Sequence, residues 1–149
     1  MAITQSMATS FKVEILDGIH NFGVGVVRAS TAADTFKIAL YTSAATLDAT
    51  TTAYTTSGEV VGTGYTAGGN TLAVSVVPVS SGTTAYLSFS NSSWSTATIT
   101  ARGAMIYNST QGNKCVAVLD FGADKVSTAG TFTIVFPTAA AGTAIIQIA

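Results

Sequence analysis

The chain of 149 residues carries 6 Lys plus Arg and 7 Asp plus Glu, so its formal net charge is -1. Only 9% of its residues are charged, against about 25% in an average soluble domain. No positive excess is present to neutralise phosphates, so we expect no nucleic-acid partner. A single Cys excludes an internal disulfide and a paired-cysteine zinc site, and a single His excludes a histidine-rich metal site. We therefore expect neither a metal nor another cofactor.

Hydroxyl side chains take the place of the missing charges. The chain contains 25 Thr and 15 Ser. Thr is typical of exposed strand faces, so this composition favours a β-rich protein. A neutral surface has little charge repulsion to keep copies apart, which favours permanent assembly, including a homo-oligomer.

The length is that of one domain with a sizeable core, because a chain of this size buries roughly 70% of its unfolded surface. No window of about 20 consecutive apolar residues is present, so no membrane-spanning helix is expected. Residues 1–10 have neither a basic start nor an apolar run, so we expect no signal peptide and synthesis in the cytoplasm. Cys115 is then expected to be a buried, reduced thiol.

The N-terminal residues contain the single helix candidate. Over residues 10–22 an apolar stripe recurs at spacings of four, four and three, formed by Phe11, Ile15, Ile19 and Phe22. The polar residues 1–9 before it are expected to be a mobile arm. Residues 1–22 are thus predicted as an arm or short helix, and residues 23–149 as one β-sandwich domain.

From residue 36 onward the apolar period becomes two, which is typical of half-buried antiparallel strands. Alternating segments occur at 36–41, 72–77, 86–90, 98–107 and 131–136, and segments apolar on both faces at 115–119 and 144–148. A further strand is predicted at 59–65, where Gly62 and Gly64 indicate a bulge or a close contact. The stretch 42–58 is predicted as an exposed loop of a length that is usually functional or disordered.

About eight strands with turns every 8 to 15 residues predict an all-β fold, an antiparallel β-sandwich. An eight-stranded jelly roll is the first choice. An immunoglobulin-like sandwich is the second, although its Cys, Trp and Cys pattern is missing. No internal repeat indicates a solenoid or propeller.

No motif predicts catalysis. Asp120-Phe121-Gly122 spells the metal-binding tripeptide of protein kinases but lacks the other kinase motifs, so Asp120 is expected to end a strand. His20 is expected to make a structural hydrogen bond. Glycoside hydrolysis needs paired carboxylates in a cleft, and neither Glu14 nor Glu59 lies in an aromatic cluster of the sequence. We therefore expect no catalytic residues and no enzyme.

Three further side chains are interface candidates. Trp94 fits an assembly anchor and a core plug equally well. Tyr54, like the other tyrosines, fits either a sandwich edge or an assembly contact. Arg102 lies in a Thr-rich strand face and is the best candidate for an ion pair between subunits.

Five segments distributed between residues 10 and 122 resemble a family of small virion structural proteins of tailed bacteriophages. They are residues 10–22, 34–43, 58–65, 97–104 and 117–122. Within that family the chain is most similar to capsid cement, or decoration, proteins with a jelly-roll body. These are family-like stretches and not chemical motifs.

The resemblance implies a non-enzymatic protein of the virion, on the capsid exterior, that binds the major capsid protein and itself as a dimer or trimer. It would stabilise the shell across capsomer joints, with no membrane partner. The segment up to Phe22 and the loop 42–58 are then the expected contact regions, with Phe11, Ile15, Ile19, His20, Phe22, Tyr54, Trp94 and Arg102 as the candidate interface residues. The alternatives are another virion component, such as a head fibre base, a tail part or a tail-fibre module, and a carbohydrate-binding module.

Overall fold

The computed structural model describes residues 2–8, 10–11, 15, 19–24 and 32–149. Its strands form two antiparallel sheets that pack as a β-sandwich, which confirms the predicted all-β sandwich class. The strands are β1 (Ser6–Met7), β2 (Phe36–Tyr41), β3 (Asn70–Leu72), β4 (Val74–Ser81), β5 (Thr84–Phe89), β6 (Ser92–Asn108), β7 (Lys114–Ile134) and β8 (Ile146–Ile148). The large sheet has the order β1-β7-β6-β2-β3, and the small sheet has the order β4-β5-β8.

The strand order refines the expected topology. Three of the six pairings between described strands join neighbours in sequence, namely β2 with β3, β4 with β5 and β6 with β7. A jelly roll consists of two Greek keys, in which a fourth strand returns to lie beside the first. Among the described strands, β4 with β5 and β6 with β7 form hairpins, whereas the long connection 42–69 joins β2 to β3. Apolar alternation reports which face of a strand is buried and carries no information on which strand lies beside it.

The hairpin of β6 and β7 dominates the large sheet, with strands of 17 and 21 residues. The segments predicted as separate strands at 115–119 and 131–136 belong largely to the single strand β7. The pairing of Ala101 with Lys125 is followed by that of Gly103 with Asp120, so residues 121–124 oppose Arg102 alone. Asp120 therefore precedes a bulge inside β7 and does not end the strand.

Strand β2 is buried on both faces, although its sequence alternates. Phe36, Ile38 and Leu40 are almost fully buried, and so are Ala39 and Tyr41 on the other face. The second face is covered because the connection 42–69 folds back along the strand. Its backbone bonds to β2 include Val60 N donating to Leu40 O at 2.9 Å.

The loop predicted at 42–58 is therefore fixed to the body. Ala45 and Leu47 are each 1% exposed, and Tyr54 N donates to Asn113 O at 2.9 Å. The predicted strand at 59–65 is wrong, because within it only Glu59 forms a bridge, to Tyr41. The close contact expected at the glycines is present: a Cβ on Gly64, whose φ is +80°, would lie 2.8 Å from Ala97 Cα.

The N-terminal residues are packed on the body as well. Ile3 and Ala8 are buried, and Ser6 and Met7 pair with β7 at the edge of the large sheet. The predicted mobile arm over residues 1–9 is therefore wrong for its described residues, because apolar side chains near the start of the chain pack in the core. Of the predicted helix, Ser10, Phe11 and Ile15 have helical backbone and residues 19–22 do not, while 12–14 and 16–18 lie outside the described residues.

An aromatic chain joins the two sheets through the core. Phe22 stacks on Phe36 of β2 with ring centroids 4.3 Å apart, and Phe36 lies 5.9 Å from Phe89 of β5. Phe89 in turn lies 5.9 Å from Phe136. The rings thus hold the large sheet, the small sheet and the N-terminal segment together.

Candidate interaction surfaces

The most organised polar cluster surrounds the carboxylate of Glu59, which is 8% exposed. Its Oε2 accepts a hydrogen bond from the Tyr54 hydroxyl at 2.6 Å. Its Oε1 accepts from the Tyr65 hydroxyl at 2.6 Å and from Gly68 N at 2.7 Å. Both oxygens are therefore engaged inside the protein, and the carboxylate ties residues 54, 65 and 68 of the connection between β2 and β3 to one another.

Two further tyrosines complete this cluster. The Tyr107 hydroxyl donates to Gly68 O and the Tyr41 hydroxyl to Thr55 O, each at 2.7 Å. Tyr54 stacks on Tyr107 with ring centroids 4.8 Å apart. Glu59 thus lies in an aromatic cluster, contrary to the interpretation of its sequence neighbourhood. Its partners Tyr54 and Tyr65 are five and six residues away, and the fold adds Tyr41 and Tyr107 from the large sheet.

Burial raises the pKa values of the tyrosines in this cluster. Desolvation is the largest cause for Tyr41, Tyr54, Tyr65 and Tyr107. For Tyr54 and Tyr65, the hydrogen bond that each donates to Glu59 raises the pKa further. The cluster therefore requires the protonated hydroxyls.

We expect the stability to fall at alkaline pH. A tyrosine in the unfolded chain loses its proton near pH 10, whereas the buried ones retain theirs in the folded protein. Their contribution is therefore complete below about pH 10 and is lost as the pH rises further. Urea unfolding at a series of pH values, followed with tyrosinate absorbance, measures this; tyrosines that all titrate near pH 10 without loss of stability would contradict it.

A second buried polar cluster contains His20. The side-chain amide nitrogen of Asn108 lies 3.0 Å from His20 Nδ1 and donates to Asp34 Oδ2 at 2.8 Å. Asn108 Oδ1 accepts from the backbone nitrogens of Thr110 and Gln111, both at 3.1 Å. These contacts fit the structural hydrogen bond expected of His20, since they link the N-terminal segment to the β6–β7 turn.

The apolar stripe of the N-terminal segment faces the body of the protein. Phe11 is fully buried, with its ring centroid 4.8 Å from that of His20, and Phe22 is 6% exposed. Ile15 and Ile19 are half-buried. Phe11 can therefore contact a partner only if the segment leaves the body, whereas His20 and Phe22 each expose a small part of the side chain.

The three remaining candidates also make contacts within the chain. Tyr54 is half-buried in the Glu59 cluster. Trp94 is 4% exposed and packs between Tyr65 and Phe132, which matches the core plug of its two readings. Arg102 Nε lies 3.0 Å from Asp120 Oδ1 across the bulge of β7.

The Arg102–Asp120 pair is partly open to solvent, with 34% and 25% of the two side chains exposed. Arg102 lowers the pKa of Asp120, with help from Gly122 N, and Asp120 raises the pKa of Arg102. Solvent screens such a pair, so its contribution to stability is small. Arg102 meets this carboxylate inside its own chain.

Exposed apolar side chains mark a further surface, which joins three of the predicted interface residues, Ile15, His20 and Phe22, to residues of the small sheet. A groove of about 420 Å³ runs between the N-terminal segment and the small sheet. Its described lining includes Ile15, Phe22, Val24, Val77, Pro78 and Ile148, and none of the described residues that line it is Asp, Glu, Lys or Arg. Val24 is 83% and Val77 is 52% exposed. We call this surface the small-sheet groove.

Signals for the missed residues were present in the sequence. Glu59 is the one charged residue between Asp48 and Arg102, and an isolated carboxylate in an uncharged stretch indicates a buried, paired group. Val77 and Val79 flank Pro78, and a proline inside a strand pattern indicates an exposed edge. The pairing of Asp34 with Asn108 has no such signal, because 74 residues separate the two positions.

Among the described residues, no group of three or more metal-ligating side chains occurs, and no helix has the length and apolarity to cross a membrane. No protein-family model, no curated protein and no solved structure matches the chain.

Proposed function

We propose that the chain is a non-enzymatic capsid cement protein of a tailed bacteriophage, binding the outside of the major capsid protein shell across capsomer joints. The partner class comes from the sequence resemblance. The observation that carries the binding role is the small-sheet groove, a largely apolar surface open to solvent whose described lining residues include no Asp, Glu, Lys or Arg.

The groove is suited to a protein partner. Valine side chains that are more than half exposed release ordered water when a partner covers them, at roughly 25 cal/mol per Å² of apolar area. An occupant without charges avoids desolvating ions against this lining. The proposed occupant is therefore an apolar, uncharged surface of the major capsid protein.

The rest of the fold supports a rigid adhesive module. The hydrophobic core extends through both sheets, and the Glu59 and His20 clusters hold the connecting segments on it. A rigid body loses little conformational entropy when it binds. Binding to the assembled shell in preference to free subunits then stabilises the shell by mass action, and several copies add avidity.

The test uses shells assembled from the major capsid protein of the phage that encodes the chain. We expect the wild-type protein to bind assembled shells, to bind free subunits much more weakly, and to raise the temperature at which the shells disassemble. Val77→Asp puts a charge into the groove and is expected to weaken shell binding about tenfold or more.

Val61→Asp is the matched control. Val61 is 97% exposed and does not line the groove, so this variant is expected to bind as the wild type does. Equal binding by both variants would exclude the groove as the contact surface. A wild-type protein that does not bind shells at all would overturn the proposed function.

A further inference from the structure

A buried side chain in the wall of the small-sheet groove has an unused hydrogen-bond donor. Asn21 lines the groove and is 3% exposed. Its Nδ2 is shielded from solvent and has no hydrogen-bond partner among the described residues. Buried polar side-chain atoms are nearly always hydrogen-bonded, so this exception indicates a partner that the chain itself does not supply.

The orientation of the Asn21 amide is fixed by its neighbours. Asn21 Oδ1 accepts a hydrogen bond from Gly23 N at 3.1 Å, which closes a turn between side chain and backbone. The backbone of Asn21 is held as well, because its N donates to Asp34 Oδ2 at 3.4 Å and its O accepts from Asp34 N at 3.2 Å. Exchanging the two amide atoms would place the NH₂ group against the N–H of Gly23. The nitrogen is therefore the atom without a partner.

The surroundings of Asn21 restrict the chemistry of an occupant. The groove crosses all three strands of the small sheet, at residues 77–78 of β4, 85–87 of β5 and 146–148 of β8. Gln147, another polar residue of the lining, uses its Oε1 to accept from Gly142 N at 2.7 Å. A carboxylate brought to Asn21 would lose its hydration against the apolar lining. The occupant is therefore mainly apolar and carries a neutral acceptor.

A main-chain carbonyl is the neutral acceptor that every protein segment carries. Inside an α-helix these carbonyls are already bonded, except in the last turn. A segment in extended conformation leaves the carbonyls along its edge free, and alternate side chains of the segment turn towards the same face. An extended apolar segment can therefore cover the groove and supply the missing acceptor at the same time.

We propose that the small-sheet groove takes an extended, uncharged segment of the major capsid protein, and that Asn21 Nδ2 donates a hydrogen bond to one of its main-chain carbonyl oxygens. This inference rests on the proposed capsid binding and adds the form of the bound segment. The donor is already stripped of water in the free protein, so it loses no hydration on binding, and its bond contributes more than that of an exposed amide. Asn21 thereby fixes the position of the segment along the groove.

Asn21→Ser tests the donor. The serine hydroxyl can accept from Gly23 N in the same kind of turn, but serine has no nitrogen to reach the occupant. With assembled shells of the major capsid protein as the probe, we expect Asn21→Ser to bind about tenfold or more weakly than the wild type. Its urea unfolding midpoint is expected to stay close to that of the wild type, since no bond to Nδ2 is lost in the free protein.

Asn91→Ser is the matched control. Asn91 is exposed and does not line the groove, and its Oδ1 also accepts from a backbone nitrogen, that of Phe136. This variant is expected to bind shells as the wild type does. Wild-type binding that Asn21→Ser leaves unchanged would overturn this inference and leave the proposed function standing, whereas a wild-type protein that does not bind shells would overturn both.

Cryo-electron microscopy of shells decorated with the wild-type protein decides if Asn21→Ser fails to fold. The reconstruction must show an extended segment of the major capsid protein in the groove, with a main-chain carbonyl oxygen within hydrogen-bond distance of Asn21 Nδ2. An empty groove, or a helix seated in it, would overturn the inference.

Discussion

Replacing Glu59 by alanine is expected to lower the free energy of unfolding by about 3 to 5 kcal/mol. The substitution removes the acceptor of three hydrogen bonds, from the Tyr54 and Tyr65 hydroxyls and from Gly68 N. Each buried donor left without a partner costs about 1 to 3 kcal/mol. The cost at Tyr54 is smaller, because this side chain is half-buried and water can accept the hydrogen bond of its hydroxyl.

Urea unfolding of paired variants measures this effect. Asp124→Ala is the control, because it removes an exposed carboxylate of the β7 bulge and is expected to change stability by less than about 0.5 kcal/mol. Glu59→Gln keeps the shape and one acceptor oxygen, so it should fall between the two. A Glu59→Ala protein as stable as Asp124→Ala would contradict the structural role of the cluster.

Replacing Phe22 by alanine is expected to cost about 3 to 5 kcal/mol of stability. Its ring is 6% exposed, stacks on Phe36 and lies 6.1 Å from Phe11 and 6.4 Å from Phe89. The cavity left behind would lie between the N-terminal segment and both sheets. Since proteins of this size have a total stability of about 5 to 15 kcal/mol, this one change removes a large part of it.

Val24→Ala is the matched control, two residues further along the chain and 83% exposed. It is expected to change the unfolding free energy by less than about 0.5 kcal/mol. If the segment were a free arm, both variants would unfold like the wild type. The buried positions of Ile3, Ala8 and Phe11 also mean that removing residues 1–22 would damage the fold, so loss of capsid binding in that deletion would not identify the segment as a contact.

The strands that could be predicted are those marked by a clear pattern of apolar residues. Strands β2, β5 and β6 follow from apolar alternation, and β8 from the apolar run at 144–148. The continuation of β7 through Gly122 was not predicted, because a glycine beside aspartates is typical of a turn and of a bulge alike. The segment at 59–65 was predicted as a strand, but the bonds of Glu59 to Tyr65 and Gly68 hold it as a loop.

The interaction surfaces were harder to predict, for a different reason. Periodicity identifies apolar side chains such as Phe11 and Phe22, but it does not distinguish burial in the core from burial at an interface. Here they lie in the core. The groove is formed by Val24, Val77 and Ile148, which come together because β4, β5 and β8 form their own sheet and the N-terminal segment lies beside it.

The proposed function is tested most directly by the copy number of this chain relative to the major capsid protein in purified virions of the phage that encodes it. A cement protein requires a ratio near one to one. A ratio of a few per cent would place the chain at a vertex or in the tail and would contradict the account.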